Sequence, residues 1–349
     1  MNGPSAEERY ARQIRFAKIG TAGQRKLGEA CVAIVGVGAL GCVIANHLAR
    51  AGVGRLILID RDIVDRTNLQ RQLLYDENDA AAGLPKAVAA AGRLAAVNSG
   101  IAIEPRAVDL SSANAETLLG AADLIVDGTD NFGARYLINE VAVKSGVPWI
   151  YGAAVGASGM TATIRPGVTP CLRCLFPNTP PGGSLDTCET AGVLAPIVDT
   201  IASIQAMEAI KLLTGQTEAL HGSLLQIDLW HHQWQPLALS GAKRADCPVC
   251  AERRFAALDS FAAEPMTAAL CGRHTVQVSP AEPASLDLEL LANRWSRLGE
   301  VELTPYLLRL RLPEPEGALF SLFPDGRALV SGTDEPVVAR RIYASLVGE

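Results

Sequence analysis

Two C-x-x-C pairs, Cys171 with Cys174 and Cys247 with Cys250, carry the strongest chemical signal in the chain. A two-residue gap lets one turn present two sulfurs, and four thiolates complete the tetrahedral shell of Zn2+. Such a site leaves no position for water, so its role would be structural, tying two remote segments together. Redox-active dithiols are the competing reading of the same spacing. A second set of residues suits phosphate. Gly36-Val37-Gly38-Ala39-Leu40-Gly41 is a turn that lets a phosphate-bearing ligand approach backbone N–H groups where a helix begins, and Asp60 stands where a ribose-binding acid belongs. Alone, that turn suits NAD, FAD or ATP equally, or a plain parallel-sheet turn without ligand. Past Asp60, Asn68-Leu69-Gln70-Arg71-Gln72 adds two amides and a guanidinium, Lys86 opens a helix and Asp130 follows a strand. Singly, each would read as a solvated surface group. Together they suit nucleotidyl transfer better than hydride transfer, because Arg, Lys and Mg2+ neutralise phosphate charge while a carboxylate holds the metal.

These residues need a scaffold, and the hydrophobic pattern supplies one. Strands are predicted at 31–35, 55–59, 101–108, 123–127, 147–151 and 160–165, and helices from the glycine turn to about residue 50, at 86–97, 135–144 and 196–213. The alternation is that of parallel βαβ units, an α/β class with a Rossmann-like, doubly wound sheet. Residues 1–30, with Arg9, Arg12, Arg15 and Lys18, read as a basic helical arm, and residues 31–258 as the catalytic domain with its zinc clip. A composition shift near 260–267 marks a linker. Beyond it, residues 268–349 read as a small α+β domain, with strands at 275–278, 301–312 and 318–330, a hairpin turn at Asp325-Gly326, and helices at 286–298 and 336–346.

The length of 349 residues suits two domains, and the net charge of -6 opposes nucleic-acid binding, which needs clustered cations. Residues 145–164 lack charge but are broken by Pro148 and several Gly, Ser and Thr, so no membrane span is expected. Met1 to Tyr10 hold no apolar leader, which points to the cytosol. Cys31 and Cys42 sit in apolar runs as buried structural thiols, whereas Cys188 follows a Pro- and Gly-rich stretch and Cys271 leads into a strand.

Arg9-Tyr10-Ala11-Arg12-Gln13, the glycine turn, Asp60, Asn68 to Gln72, Pro85-Lys86, Gly128-Thr129-Asp130-Asn131, Pro170 to Cys174 and Cys188 to Val193 together resemble the ThiF/MoeB/HesA family, in order, over about residues 7–252. The resemblance implies ATP-dependent adenylation of a ubiquitin-like sulfur-carrier protein ending in Gly-Gly, with release of pyrophosphate. By the same resemblance, Gly36, Gly38 and Gly41 line the nucleotide, Asp60 binds ribose, and Asn68, Arg71, Gln72 and Lys86 hold phosphates. Asp130 would hold Mg2+, and Arg12 would reach the neighbouring subunit's site in a homodimer. Cys188 corresponds to a cysteine that bonds covalently to the carrier in ThiF-like relatives and is dispensable in MoeB-like ones. A nearby helix N-terminus would activate its thiol, and Glu189 would oppose that. The tail resembles the appended segment of longer members, with packing or carrier docking as its role and sulfur relay through Cys271 as the alternative. The carrier expected is ThiS-like, serving thiamine thiazole synthesis, with a MoaD-like carrier of molybdopterin synthesis as the rival and a desulfurase as sulfur donor. Outside this class stand a nicotinamide-dependent oxidoreductase and a non-catalytic carrier-binding scaffold.

Overall fold

β-Branched runs closed by glycine or acidic turns form the first five strands: β1 Cys31–Val35, β2 Arg55–Ile59, β3 Ala102–Arg106, β4 Leu124–Asp127 and β5 Trp149–Val155. All are parallel in the order β3-β2-β1-β4-β5. The sheet then continues antiparallel through β6 Ser158–Ile164, β7 Ser223–Asp228 and β8 Gln233–Ala238. The computed structural model describes residues 6–178, 191–260, 266–270, 274–280, 284, 286–313 and 317–348, and divides into two units, Met1–Ser260 and Phe261–Glu349.

Strand alternation splits the first unit's core in two, because neighbouring residues of a strand face opposite sides. Val32, Ile34, Leu56, Leu58 and Val126 pack under the helices α2 Ala39–Ala51, α3 Lys86–Val97 and α5 Ala195–Thr214. Ala33, Val35, Ile57, Ile59 and Ile125 pack under α4 Phe132–Ser145 on the opposite face. An earlier helix, α1 Gly20–Glu29, precedes β1. Helices on both faces make the sheet doubly wound, as the periodicity predicts. From β1 the chain turns one way to β2 and β3, then crosses to β4 on the other side of β1, so the carboxyl ends of β1 and β4 frame a topological switch point.

Helix α4 starts at Phe132, ahead of the predicted 135, because the Asn131 side chain accepts the Ala134 N–H and caps the turn at 2.8 Å. The β7–β8 hairpin is absent from the pattern reading, since β8 is exposed along its whole length and has no inward apolar alternation to betray it. Among the described residues no helix is long and apolar enough to cross a membrane.

The second unit is an antiparallel sheet of β9 Met266–Leu270, β10 Thr275–Ser279, β11 Glu300–Leu303, β12 Leu308–Arg311, β13 Leu319–Leu322 and β14 Ala328–Ser331, in the order β11-β12-β13-β14-β10-β9. Val276, Leu308, Phe320 and Val330 pack with Trp295 and Ile342 of the helices α6 Leu288–Trp295 and α7 Pro336–Leu346. β9 reaches back into the stretch read as linker. The strand predicted over 301–312 breaks at Thr304, whose N–H donates to Leu307 O, giving a hairpin. Asp325-Gly326 turns the next one, with Gly326 at φ +85°.

Candidate functional site

The glycine turn sits at the switch point, and its glycines do different things. Gly36 has φ +81°, and a Cβ there would fall 2.7 Å from Gly128 O; a Cβ on Gly41 would fall 1.9 Å from Gly36 O. Gly36 is dictated by the crossing of the β1 and β4 ends, and Gly41 by the close approach of the turn's own backbone. At Gly38 a Cβ would meet nothing nearer than Gln72 Nε2 at 3.7 Å, so this is the residue that leaves space for a ligand. Tyr75 braces the turn from below, its hydroxyl lying 2.6 Å from Val37 O and 3.2 Å from Lys86 O. Cys42 is fully buried beside it, and burial pushes its thiol up to about 12.

Asp60 follows β2 and is buried. Its carboxylate accepts the Val37 N–H at 2.7 Å and the Asp62 N–H at 2.8 Å, linking the end of β2 to the glycine turn. Burial raises its pKa, and the Lys86 charge opposes the rise. Lys86 is only 3% exposed and its ammonium lies 2.9 Å from Asp62 Oδ2. Asn68 and Gln72, 1% and 4% exposed, face the same crevice, and Asn68 Oδ1 and Gln72 Oε1 have no protein partner. Buried amide oxygens without protein partners are costly unless water or a ligand donor satisfies them. Arg71 is half-buried, donating to Thr67 O at 3.1 Å.

Asp130 lies exposed beyond β4, and its charge acts on both Arg61 and Arg135. Arg61 pairs with Asp109 at 3.1 Å. The loop that carries Asp130 is shaped by a buried ion pair: Arg135 Nε donates to Asp127 Oδ2 at 3.0 Å, and its Nη2 donates to Thr129 O and Gly152 O. Asp62, Arg61, Asp109, Tyr75, Asp127 and Arg135 were not singled out by pattern. Asp62 had a signal, since it lies two residues past Asp60 at a strand end; Tyr75 had none.

Arg12 is not brought to this crevice. It is exposed on the short helix Ala11–Ile14, whose Gln13 donates to Ala51 O at 2.9 Å while Asn98 donates to Tyr10 Oη at 2.8 Å. Ala51 ends α2, and the glycine turn begins it, so the two are roughly 20 Å apart at about 1.5 Å per helical residue. Cys188 and Cys271 lie outside the described residues.

The four paired cysteines converge at the other end of the unit. Cys171 Sγ lies 3.6 Å from Cys247 Sγ and 3.9 Å from Cys174 Sγ, Cys174 Sγ lies 3.5 Å from Cys250 Sγ, and all four sulfurs fall within 4.8 Å. A tetrahedron with metal–sulfur bonds of about 2.3 Å has edges of about 3.8 Å, whereas a disulfide needs about 2.05 Å. The geometry fits a four-thiolate metal shell and excludes bonded pairs. Asn139, fully buried, accepts the Leu172 N–H at 2.8 Å and holds the first knuckle, while the Arg244 N–H points at Cys174 Sγ. Burial raises the Cys171 thiol to about 11, the strain that a bound cation would relieve.

Residues 10–249 match the ThiF family. The chain is 42% identical over 341 residues to the sulfur carrier protein ThiS adenylyltransferase of Bacillus subtilis, covering 97% of this chain and 99% of that one. It is 38% identical over 245 residues to the SAMP-activating enzyme E1 of Haloferax volcanii, covering 70% of this chain and 89% of that one. Its fold resembles Escherichia coli MccB, solved with MccA-N7isoASN, at a TM-score of 0.62 and 25% identity over 71% of this chain and 76% of that one.

Proposed function

The chain belongs to the ThiF family, and from that premise we propose that it is an ATP-dependent adenylyltransferase acting on the C-terminal Gly-Gly carboxylate of a ubiquitin-like, ThiS-like sulfur carrier. One observation carries the choice of carrier. The likeness to the Bacillus subtilis ThiS adenylyltransferase runs through 97% of the chain, second unit included, while that to the SAMP-activating enzyme stops at 70%. Family membership sets aside the oxidoreductase, and the charged crevice argues against a silent scaffold, which has no use for phosphate-neutralising groups.

In this reading Asp60 receives the ribose, and the space over Gly38 admits the phosphates to the backbone of the turn. Arg71 and Lys86 offset phosphate charge, and the side-chain NH2 groups of Asn68 and Gln72 donate to the same oxygens. A C-terminal carboxylate, with a pKa of about 3.3–3.7, is already ionised at neutral pH, so no general base is needed. Its oxygen bonds to the α-phosphorus as the bond to the bridging oxygen breaks, giving carrier-acyl-AMP and pyrophosphate. The crevice's work is to bring two anions together in line. Asp130 would hold Mg2+, which supplies charge neutralisation when bound. An exposed carboxylate suits that ion, which keeps waters and shares phosphate oxygens. Cys171, Cys174, Cys247 and Cys250 would hold Zn2+ as a structural clip.

The remaining assignments belong to the same proposal. Residues 1–30 form the arm, 31–258 the adenylation domain and 268–349 an appended domain. The enzyme works in the cytosol as a homodimer in which Arg12, remote from its own crevice, serves the neighbouring subunit's. Cys188 receives the activated carrier, and a desulfurase supplies sulfur. ATP–pyrophosphate exchange with purified ThiS-like and MoaD-like carriers tests the core of this. Exchange with the ThiS-like carrier is expected, falling on the order of 10²–10³-fold in Asp130→Ala. Exchange with the MoaD-like carrier alone would move the pathway, and exchange with neither would overturn the function.

A further inference from the structure

Lys86, with its neighbour, is tied to Asp62 and Ile63 three ways. Its ammonium lies 2.9 Å from Asp62 Oδ2, its backbone N–H donates to Asp62 O at 2.9 Å, and its neighbour Pro85 bridges to Ile63. Asp62 also reaches the other side of the site, where its N–H donates to Asp60 Oδ1 at 2.8 Å. The stretch after β2 therefore runs as a short rail, with Val64 N–H donating to Leu84 O, along the start of α3. Asp62 thus bonds to both the ribose acid and the phosphate lysine, and its Oδ1 lies 3.9 Å from Arg61 Nε.

We infer that Asp62 is a positioning residue, setting the distance between Asp60 and the Lys86 ammonium so that ribose and phosphates are gripped at one fixed spacing. The inference rests on the adenylation reading above. Two forces at the pair act in opposite directions. The Asp62 carboxylate repels the incoming triphosphate, and it also restrains a four-carbon side chain that would otherwise sample many rotamers. Ground-state binding feels mainly the first, because a mobile ammonium still attracts phosphate. The transition state feels the second, because misplacing a charge by about 1 Å costs up to about 10²-fold in rate.

The test is Asp62→Asn, which keeps both backbone bonds and removes the carboxylate charge. Affinity for a non-hydrolysable ATP analogue is measured by calorimetry, and kcat by pyrophosphate exchange with the ThiS-like carrier. The expected split is an ATP affinity unchanged or tighter, with kcat down roughly 10- to 100-fold. Lys86→Ala, in contrast, should weaken the analogue as well. A purely structural role would lower the melting temperature and degrade affinity and kcat together, and that result overturns the inference. If Asp62→Asn does not fold, Asp62→Glu carries the same test, since it keeps the charge and displaces the ammonium. If the native enzyme exchanges with neither carrier, the adenylation reading fails. The analogue titration still decides the matter: weakening in Asp62→Asn equal to that in Lys86→Ala sinks the positioning role.

Discussion

The crevice at the glycine turn and the cysteine cluster lie in the same unit and are both assembled from segments remote in sequence, yet they are finished differently. At the cluster each sulfur faces other sulfurs at 3.5–3.9 Å, closed on itself and ready for one ion. In the crevice Asn68 Oδ1 and Gln72 Oε1 are buried without protein partners, while Arg71 is half-buried and Asp130 exposed. Each orphaned buried polar atom costs about 1–3 kcal/mol. The four sulfurs of the cluster meet one another, whereas the crevice leaves buried acceptors that a donor from outside the chain would satisfy.

The sharpest way to break the contrast is at the cluster. Cys247→Ser, or exhaustive chelation, should destabilise the first unit by on the order of 5 kcal/mol, lowering its melting temperature by about 10–20 °C. Calorimetry and metal analysis check this together; unchanged melting with a full thiol titre would refute the metal clip. Asp130→Ala should do the reverse, lowering exchange with its melting curve intact, because its side chain is exposed. Within the glycine turn the contrast can be drawn again. Gly36→Ala places a Cβ 2.7 Å from Gly128 O at φ +81° and should cost about 2–4 kcal/mol. Gly38→Ala should cost much less stability while weakening ATP, and equal losses in urea melts would erase the distinction.

A further effect is alkaline. The Cys42 thiol is held up to about 12 by burial, against 9.0 for an ordinary thiol. Above pH 9 the unfolded chain releases that proton and the folded one keeps it, so stability falls by about 1.4 kcal/mol per pH unit until the folded thiol also ionises. Cys42→Ala should flatten this slope in melts between pH 9 and 11, and an unchanged slope would assign it to other groups, such as Tyr75.

Much of this was legible without coordinates. Strands 31–35 and 55–59 and helix 86–97 match the observed elements because a β-branched run or an Ala-rich periodic run states its own conformation. The paired cysteines announced a metal site by spacing alone, and their convergence follows. The β7–β8 hairpin was not legible, since its outer strand faces solvent on both sides. The three glycines read as one motif, yet Gly36 answers to Gly128 across the sheet, a neighbour far away in the chain, and Gly41 to Gly36 within the turn itself.

The residue order by itself determined the alternation of strand and helix, a glycine-rich turn with cations downstream of it, and two closely spaced cysteine pairs able to hold a metal ion. These are local matters, governed by side-chain period, turn chemistry and two-residue gaps. Only the folded chain decided which glycine leaves room for a ligand, that Asp62 grips Lys86, that Arg135 neutralises Asp127 beneath the Asp130 loop, and that Arg12 lies a helix length from its own crevice. Pairings of that sort depend on burial and on distance between segments that meet only once the sheet has closed around its switch point.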